Sequence, residues 1–539
     1  MGGFSLGCGL GWSAPSVEIL RSQLDDFAIN VIASVLPIGA ALGTLVVPLL
    51  VDRIGRKWTM MVLVPVLISG WILLICAGTV VPFYVIGRLV TGACGGMCCV
   101  LAPMYSAEIS EKHIRGTTGV FFQLMLVIGI LYVYCTGFTR DVVAISSLCI
   151  IAPIVFGVTM AFVPESPLFY LTKDKEEDAR KSMRFFRGPD FDIEPEMSAF
   201  KMCIRDSCKC GRKQEQVERS KFRRPSITAF TSKPVLKTLA VAYGLMFTQQ
   251  FSGINAIIFY GLTILESTGV GMESQLELVI FGVVQVVACV AAALLIDQVI
   301  LCYVYCDVES CSTDFAIYNL SNGRLALRMR SKHSQLGRKL LMAISMSTMC
   351  ACLSALAGFF ILKSYQPELA DRMHWLPLTS VCVYILAFCL GAEIYTLDSF
   401  LVCDKRVHTV RVKLFSMTNT LKLIVSKESY RTFDLLGPIP WAYMGEIFPT
   451  RLKGAASSSA AFFNWLLAFT VTITFPSAIG VLDNAVVFSF FALMCALGTL
   501  FVIFFMVETK DKTFTEIEQA YGTHVPVQPV QDEEPPSME

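Results

Sequence analysis

The chain has 539 residues, of which 54% are hydrophobic and only 16% are charged, and its formal net charge at pH 7 is +1. Soluble domains carry roughly 25% charged residues, so this composition excludes an ordinary soluble protein and indicates a polytopic membrane protein. The near-neutral charge gives no sign of a nucleic-acid partner, and we expect a lipid bilayer to surround the chain instead.

Twenty cysteines occur in the sequence, and most of them lie inside apolar segments, where cysteine behaves as a small hydrophobic residue. Cys203, Cys208 and Cys210 share a basic stretch, but they lack the paired spacing of structural zinc ligands. We therefore expect no disulfide framework, no metal site and no cofactor.

Apolar stretches long enough to cross a bilayer follow one another along the chain. Residues 1–15 come first and are too short, so we interpret them as the second part of a truncated helix 1. The prediction is an all-α polytopic membrane protein with about 12 transmembrane helices. Its further spans are predicted at 29–51, 58–79, 81–103, 117–137, 142–163, 236–264, 275–297, 340–362, 376–391 joined to 437–446, 455–479 and 484–507.

A charged stretch from Lys173 to Lys233 separates these spans into two groups. Basic residues gather at alternate connections, so the positive-inside rule predicts that this stretch and both termini lie in the cytoplasm. The predicted domains are a six-helix half at 1–171, a cytoplasmic linker at 172–234, a second six-helix half at 235–507 and a cytoplasmic tail at 508–539.

The two halves also repeat one another. Tyr105-Ser-Ala-Glu108 leads to Gly116, and Tyr443-Met-Gly-Glu446 leads to Gly454, with each residue 338 positions before its counterpart. Two parallel repeats joined by a cytoplasmic linker are the plan of a major facilitator transporter.

Two stretches interrupt the repeat in the second half. Residues 298–335 stand between the end of helix 8 and Gly337-Arg338-Lys339, and residues 392–436 stand inside helix 10. A charge at the centre of a membrane helix costs about 2.5–3.5 kcal/mol, so the highly charged stretch 392–436 must leave the membrane. We interpret both stretches as insertions from a faulty gene model or unspliced introns. A tolerated surface loop stays open as an alternative for 298–335.

The run from Gln249 to Asn255 is unusually polar for an apolar segment. Its three amide side chains, Gln249, Gln250 and Asn255, need partners at membrane depth. Ser252-Gly253 lets the helix unwind, and unwound backbone is tolerated there where it lines a cavity. Uncharged donors and acceptors at a helix break suit a neutral, polyhydroxylated ligand such as a sugar. Hydrogen bonding between packed helices is the alternative interpretation.

Motifs of one family occur in order along nearly the whole chain. They are Asp52–Lys57, Gly87-Arg88, Glu108–Gly116, Pro164–Pro167, Gln249–Tyr260, Gly437-Pro-Ile-Pro-Trp441, Glu446–Gly454 and Glu508-Thr-Lys510. With these motifs the chain resembles the sugar porters of the major facilitator superfamily, most closely the insect facilitated trehalose/hexose transporters.

The resemblance implies which residues bind the sugar. Trp441 is expected to stack on the apolar face of the sugar, whereas Trp465 is expected to pack within its helix bundle. Phe259 and Tyr260 resemble an outer gate. The substrate-binding residues that the resemblance implies are Gln123, Gln249, Gln250, Asn255, Gln285, Trp441 and Asn464.

The resemblance also implies a network of ion pairs at cytoplasmic helix ends, which holds the two halves together while the cavity faces outward. Exposed pairs contribute only about 0–1 kcal/mol each, which suits a switch between states of similar energy. The residues assigned to this network are Asp52, Arg53, Arg56, Arg88, Glu108, Arg115, Glu165, Arg338, Glu446, Arg451 and Glu508.

The predicted function is facilitative transport of a sugar, trehalose or a hexose, by alternating access in the plasma membrane, with the monomer as the working unit. A proton-coupled symporter stays open as an alternative, although we find no Asp or Glu at membrane depth in the predicted spans. A non-transporting sugar receptor is disfavoured because the tail at 513–539 is short and featureless. No nucleophile–base arrangement indicates an enzyme.

Overall fold

The structure is a computed structural model that describes most of the chain. Nearly all of the described residues are helical, because backbone groups in a membrane must satisfy their hydrogen bonds within the chain. The described residues are 1–110, 115–188, 191–198, 200–201, 233–268, 273–309, 317–320, 324–327, 338–393 and 453–508.

Ten labelled helices build the N-terminal half and the start of the linker. They are α1 Gly2–Gly11, α2 Ser13–Leu20, α3 Asp26–Ile54, α4 Arg56–Ile75, α5 Val81–Ile109, α6 Arg115–Thr136, α7 Val142–Cys149, α8 Ile151–Ala161, α9 Pro167–Thr172 and α10 Glu176–Arg187. Two of the predicted crossings are each made from a pair of helices, α1 with α2 and α7 with α8.

Eight further helices and one hairpin follow. The helices are α11 Lys233–Gln250, α12 Ile254–Thr268, α13 Ser274–Glu309, α14 Arg338–Tyr365, α15 Pro367–Arg372, α16 Trp375–Glu393, α17 Lys453–Val481 and α18 Asn484–Phe505. The hairpin pairs β1 Ile317–Leu320 with β2 Arg324–Leu327 in antiparallel register, with Ile317 opposite Leu327.

Nine stretches of the described residues are long and apolar enough to cross a membrane. Three other crossings are built differently: α1 with α2 is short, α11 with α12 is broken, and α16 ends at Glu393, where the described part of helix 10 stops. The predicted all-α fold with about 12 transmembrane helices is thereby confirmed.

Close helix packing depends on small residues. Gly92 and Gly96 of α5 lie so near the backbone carbonyls of Leu36 and Ala40 on α3 that a Cβ atom at either glycine would collide with them. Small residues four apart allow such an approach between membrane helices. Between the two halves, α3 packs against α17, α6 against α13, and α2 against α12.

Because successive crossings run in opposite directions, their connections gather at two ends of the bundle. We call one the acidic end; its described connections are 21–25, 76–80, 137–141, 366–374 and 482–483. We call the other the basic end, because Arg53, Arg56 and Lys57 flank its first connection. Its described connections are Gly55, 162–166 and 506–508.

The structure describes part of one predicted insertion and almost none of the other. Helix α13 runs past Asp297 to Glu309, and the β1–β2 hairpin follows, so both lie partly or wholly within 298–335. The stretch 392–436 lies outside the described residues, apart from its first two positions at the end of α16.

Candidate functional site

The seventh crossing is broken at Phe251–Gly253, between α11 and α12. Gly253 has a φ of +90°, which side-chain-bearing residues rarely adopt, and a Cβ atom there would lie 3.1 Å from the Phe491 ring. The Gly253 N–H donates to the Gln250 carbonyl at 3.3 Å and closes the turn. The break expected at Ser252-Gly253 is therefore present, and it separates Gln249 and Gln250 from Asn255.

Three carboxamides meet at this break. Gln250 Nε2 donates to Asn464 Oδ1 at 2.9 Å and so joins α11 to α17, and Asn255 Nδ2 donates to Gln250 Oε1 across the break. Gln250 and Asn464 are 5% and 4% exposed. Because each amide offers two N–H groups and two lone pairs, this buried chain retains unused donors and acceptors.

Ten buried side-chain atoms have no hydrogen-bond partner among the residues that the structure describes, and three of them belong to Gln249, Gln285 and Trp465. These three atoms are Gln249 Oε1, Gln285 Oε1 and Trp465 Nε1. A buried polar atom without a partner costs about 1–3 kcal/mol, so such atoms indicate a missing ligand or water. All three groups are uncharged, which matches the hydroxyl chemistry inferred for the break.

Trp465 follows Asn464 directly on α17. Its ring is 8% exposed, and its indole N–H has no hydrogen-bond partner among the described residues. The buried Trp71 on α4 has an indole N–H in the same condition, so this observation does not decide between packing and sugar binding. The predicted packing of Trp465 stays a prediction, and its adjacency to Asn464 makes it a further candidate contact.

Gln123 lies apart from this cluster. It is half-buried on α6 of the N-terminal half, and no described hydrogen bond joins it to the amides of the C-terminal half. Its predicted contact with the sugar stays a prediction.

The predicted gate residues, Phe259 and Tyr260, are fully buried on α12. The backbone of Tyr260 leaves the helical region (φ −120°, ψ 20°), so α12 is kinked there. Tyr260 Oη donates to the Thr472 carbonyl at 3.0 Å, and its ring lies 5.4 Å from that of Phe475. The two residues thus lie at a kink between the amides and the acidic end, and Tyr260 is held against α17.

Four side-chain contacts described between the two halves lie toward the acidic end. Tyr134 Oη donates to the Ile258 carbonyl at 3.1 Å, and Gln275 Nε2 donates to the Tyr134 carbonyl at 2.6 Å. Thr263 Oγ1 donates to Glu18 Oε2 at 3.3 Å, and Arg140 Nη2 forms an ion pair with Glu273 Oε1 at 2.6 Å. In the described part of the chain, the halves are therefore fastened together at this end.

The network predicted at the basic end has a different arrangement. The Arg56 guanidinium pairs with Glu108 at 2.9 Å, and both residues belong to the N-terminal half. Asp52 and Arg53 are exposed, and no ion pair is described for them. Arg56 and Glu108 sit on neighbouring helices of one half. Their predicted role in holding the halves together stays a prediction, because Glu446 and Arg451 of the second half lie outside the described residues.

Glu165 is the most enclosed carboxylate of this end, with 2% of its surface exposed. It accepts hydrogen bonds from the backbone N–H groups of Arg56 at 3.0 Å, Lys57 at 3.0 Å and Ser166 at 2.9 Å. It therefore caps the first turn of α4, where the helix dipole favours a negative charge. In the second half, Glu508 accepts the backbone N–H of Lys339 at 3.0 Å in the same manner.

The linker helix α10 packs against α9 of the N-terminal half. Arg187 donates to the Ile109 carbonyl at the end of α5 at 2.8 Å and pairs with Glu196 at 2.8 Å. Hydrogen bonds from Lys201 and Arg180 lower the pKa of Glu176, in that order of importance. Since a lowered carboxyl pKa keeps the group ionised at neutral pH, these pairs do not switch in the physiological range.

Arg88 does not lie at a cytoplasmic helix end, and that prediction is wrong. It sits in α5 near the acidic end, two turns from Val81, and is fully buried. Its guanidinium donates to the Gly9 carbonyl and to Ser13 Oγ, each at 2.5 Å, and lies 5.0 Å from the Trp12 ring centroid. The motif marks a charge inside the membrane, held by neutral groups of the first crossing.

A buried carboxylate also escaped the sequence reasoning. Glu277 follows the acidic-end connection in sequence, but it lies in the first turn of α13 and is only 1% exposed. Neither of its oxygens has a hydrogen-bond partner among the described residues. The expectation that the spans hold no buried acid is therefore wrong.

Some predicted site residues lie outside the described part of the chain. Trp441, Glu446 and Arg451 are among them, and so are the side chains of Arg115 and Arg338, although α6 and α14 begin at those positions. Their predicted roles stay predictions.

Comparison with known proteins gives consistent matches. The family described as "Sugar (and other) transporter" matches residues 15–299 and 433–521. A facilitated trehalose transporter Tret1-2 homolog of Drosophila simulans is 30% identical over 93% of this chain and 83% of its own length. The facilitated trehalose transporter Tret1 of Anopheles gambiae is 27% identical over 96% of this chain and 54% of its own length.

Among solved structures, the fold is similar to that of a bacterial sugar symporter. The major facilitator proton:xylose symporter XylE bound to 6-bromo-6-deoxy-D-glucose superimposes with a TM-score of 0.62 at 20% identity, covering 96% of this chain and 97% of XylE. The inward open conformation of XylE from E. coli gives a TM-score of 0.63 at 20% identity over the same shares.

Proposed function

Because the chain belongs to the family of sugar (and other) transporters, we propose that it carries a sugar, trehalose or a hexose, across the plasma membrane by facilitative alternating access. Its family is one of transporters rather than enzymes. We further propose that the acidic end faces the exterior, that both termini are cytoplasmic, and that the monomer is the working unit. The relatives named facilitated trehalose transporters make trehalose the first substrate to test.

The observation that carries this proposal is the carboxamide chain at the break of the seventh crossing. Gln250, Asn255 and Asn464 are joined by hydrogen bonds in a buried position, and Gln249 adds an unpaired Oε1 beside them. Such groups bind a neutral sugar by exchanging one set of uncharged hydrogen bonds for another. None of these four side chains is ionised, so none would have to be neutralised first.

Facilitative transport is favoured over proton coupling by the surroundings of Arg88. Its described partners are carbonyl oxygens and one serine hydroxyl, none of which gains or loses a proton at physiological pH. A proton-coupled carrier needs a titratable group whose charge changes during the cycle. The Arg88 environment supplies no such group.

Proton coupling stays the second candidate function because of Glu277. A carboxylate that is buried and unpaired at the end of a membrane helix is a candidate proton acceptor. If Glu277 couples the protein to protons, a pH gradient will concentrate sugar in vesicles, and Glu277→Gln will abolish that accumulation while equilibration continues. Equilibration without accumulation in the unaltered chain would exclude this function.

The experiment that tests the proposal is uptake of labelled trehalose and glucose into vesicles that contain the purified full-length chain. We expect both sides to reach equal sugar concentrations without a proton gradient. Binding without any equilibration would favour a receptor. Gln250→Ala and Asn255→Ala should each raise the KM about tenfold, because one lost buried hydrogen bond costs about 1–3 kcal/mol.

Two tryptophan variants test the stacking contact in the same assay. We predict that Trp441→Ala weakens sugar binding more than Trp465→Ala does. Trp465→Phe then isolates the indole N–H, since it removes that donor and keeps an aromatic ring. An unchanged KM in Trp465→Phe would leave Trp465 in its predicted packing role.

A further inference from the structure

At the break, the Ser252 carbonyl accepts a hydrogen bond from a side chain of another helix. Tyr384 on α16 donates its hydroxyl to the Ser252 carbonyl at 3.0 Å. The neighbouring carbonyls are satisfied locally, Gln249 by Ser252 Oγ at 2.7 Å and Gln250 by the Gly253 N–H at 3.3 Å. Since a helix end leaves its last carbonyls without intrahelical donors, Tyr384 supplies what the broken helix itself does not.

The surroundings of this bond are tightly packed. Tyr384 is 1% exposed and Ser252 is fully buried. Ser252 Oγ lies 3.3 Å from the Tyr384 hydroxyl, so both oxygen atoms of Ser252 contact that one group. On the α18 side, Cys495 Sγ lies 4.0 Å from the same carbonyl, and Phe491 packs against Gly253. Contacts from α16 and α18 thus hold the break in place.

From this geometry we infer that the Ser252–Tyr384 pair positions the sugar-binding amides by fixing how far the seventh crossing unwinds. The inference rests on the proposed function. Gln249 and Gln250 precede the Ser252 carbonyl in the chain, and Asn255 lies in the first turn of α12. The distances between the three amides therefore depend on the turn at 251–253. Without the Tyr384 hydroxyl, the Ser252 carbonyl keeps only the weak donor Cys495 Sγ at 4.0 Å, and the turn changes until a stronger donor is found.

The test compares Tyr384→Phe with the unaltered chain in vesicles, using trehalose and glucose in both directions of transport. We expect the KM to rise about five- to tenfold in both directions, with a smaller change in maximal rate, because one buried hydrogen bond is lost and the site is distorted. Ser252→Ala removes only the serine hydroxyl and should raise the KM about threefold by the same reasoning.

Tyr132→Phe is the matched control. Tyr132 donates its hydroxyl to the Leu148 carbonyl at 3.2 Å, which is also a bond from a tyrosine to the backbone of another helix, but it lies in the N-terminal half away from the break. We expect its KM to equal that of the unaltered chain. A merely structural role for Tyr384 would lower the thermal stability and the maximal rate in both tyrosine variants and leave the KM unchanged.

A double variant decides whether Tyr384 acts through the amides. If it does, adding Tyr384→Phe to Asn255→Ala raises the KM by less than Tyr384→Phe raises it in the unaltered chain, because the effects of coupled residues are not additive.

Two outcomes would overturn the inference and leave the proposed function standing. They are equal KM values for Tyr384→Phe and the unaltered chain, and fully additive effects of the two substitutions on the KM. If Tyr384→Phe is not recovered in folded form, an unchanged KM in Ser252→Ala overturns it. An unaltered chain that equilibrates neither sugar would overturn the proposed function, and this inference with it.

Discussion

The two ends of the bundle use their polar side chains differently. At the acidic end, Tyr134, Gln275 and Arg140 take part in bonds that cross from one half of the protein to the other. At the basic end, the described bonds of Glu108 and Glu165 stay within the N-terminal half. Among the described residues, the Arg56–Glu108 pair and the Glu165 cap thus act within one half. The contacts that join the halves at the acidic end are two neutral hydrogen bonds, one hydrogen bond to the Glu18 carboxylate and one ion pair.

This difference indicates which contacts an alternating-access cycle must break. A half that moves as a rigid body keeps its internal pairs, so we expect the Arg56–Glu108 pair to persist through the cycle. The bonds between the halves at the acidic end must open whenever the cavity opens at that end. Because each is worth about 0.5–1.5 kcal/mol, breaking them leaves the two states close in energy.

The largest expected effect comes from removing the two predicted insertions, which interrupt the second half toward the basic end. We expect the chain lacking 298–335 and 392–436 to transport sugar at least about tenfold faster per molecule, because the charges of 392–436 are costly near hydrocarbon. Deleting 298–335 alone should change transport less. Equal rates for the full chain and the double deletion, measured by vesicle uptake, would mean that both stretches are tolerated loops.

A large effect on stability is expected from Glu165→Ala. This change leaves the backbone N–H groups at the start of α4 without their acceptor and should cost about 3 kcal/mol of folding free energy. Thermal unfolding of the detergent-solubilised protein measures the loss. Glu177→Ala is the control because Glu177 is exposed on α10. Similar stability losses in the two variants would contradict the capping role of Glu165.

A moderate effect on the conformational balance is expected from Tyr134→Phe. The variant loses the bond to the Ile258 carbonyl, which should favour the state open at the acidic end about threefold to fivefold, given a bond worth about 1 kcal/mol. The KM for transport from the acidic side should then fall, and the KM from the basic side should rise. Movement of both values in one direction would show that Tyr134 acts on the sugar site instead.

The smallest effect is expected from Arg140→Gln. Its ion pair with Glu273 is largely exposed, with side chains 75% and 50% accessible, and exposed pairs contribute about 0–1 kcal/mol. The directional KM values should shift less than twofold, and the shift should vanish at about 1 M salt, where the Debye length is about 3 Å. A shift larger than that of Tyr134→Phe would reverse the ranking of the two contacts.

The helix break could be predicted from the residues that form it. Gly253 tolerates a positive φ, and the amides on both sides are costly in an apolar segment unless they meet partners. The positions of the crossings were equally predictable, since a bilayer requires long apolar helices. In both cases one physical requirement acts on the sequence locally.

The contacts between the halves were not predictable in the same way. Tyr134 bonds to a backbone carbonyl on α12, and Gln275 bonds to a carbonyl on α6, so residue types do not reveal the pairing. Arg88 was misplaced because its charge was read as a helix-end signal, although its partners are also mainly carbonyls. Glu277 was overlooked because burial depends on how the first turn of α13 packs, which depends on the tertiary structure.

The buried guanidinium of Arg88 has an electrical consequence, because its neutral partners leave a fixed positive charge within the membrane. Moving one charge across the whole membrane changes its energy by about 2.3 kcal/mol per 100 mV. If rocking of the halves carries Arg88 through about a tenth of that field, the change is about 0.2 kcal/mol, well below the thermal energy of about 0.6 kcal/mol. With that displacement of Arg88, the resting voltage of a cell would bias the cycle by less than the thermal energy, and in facilitative transport a neutral sugar would follow its own concentration difference.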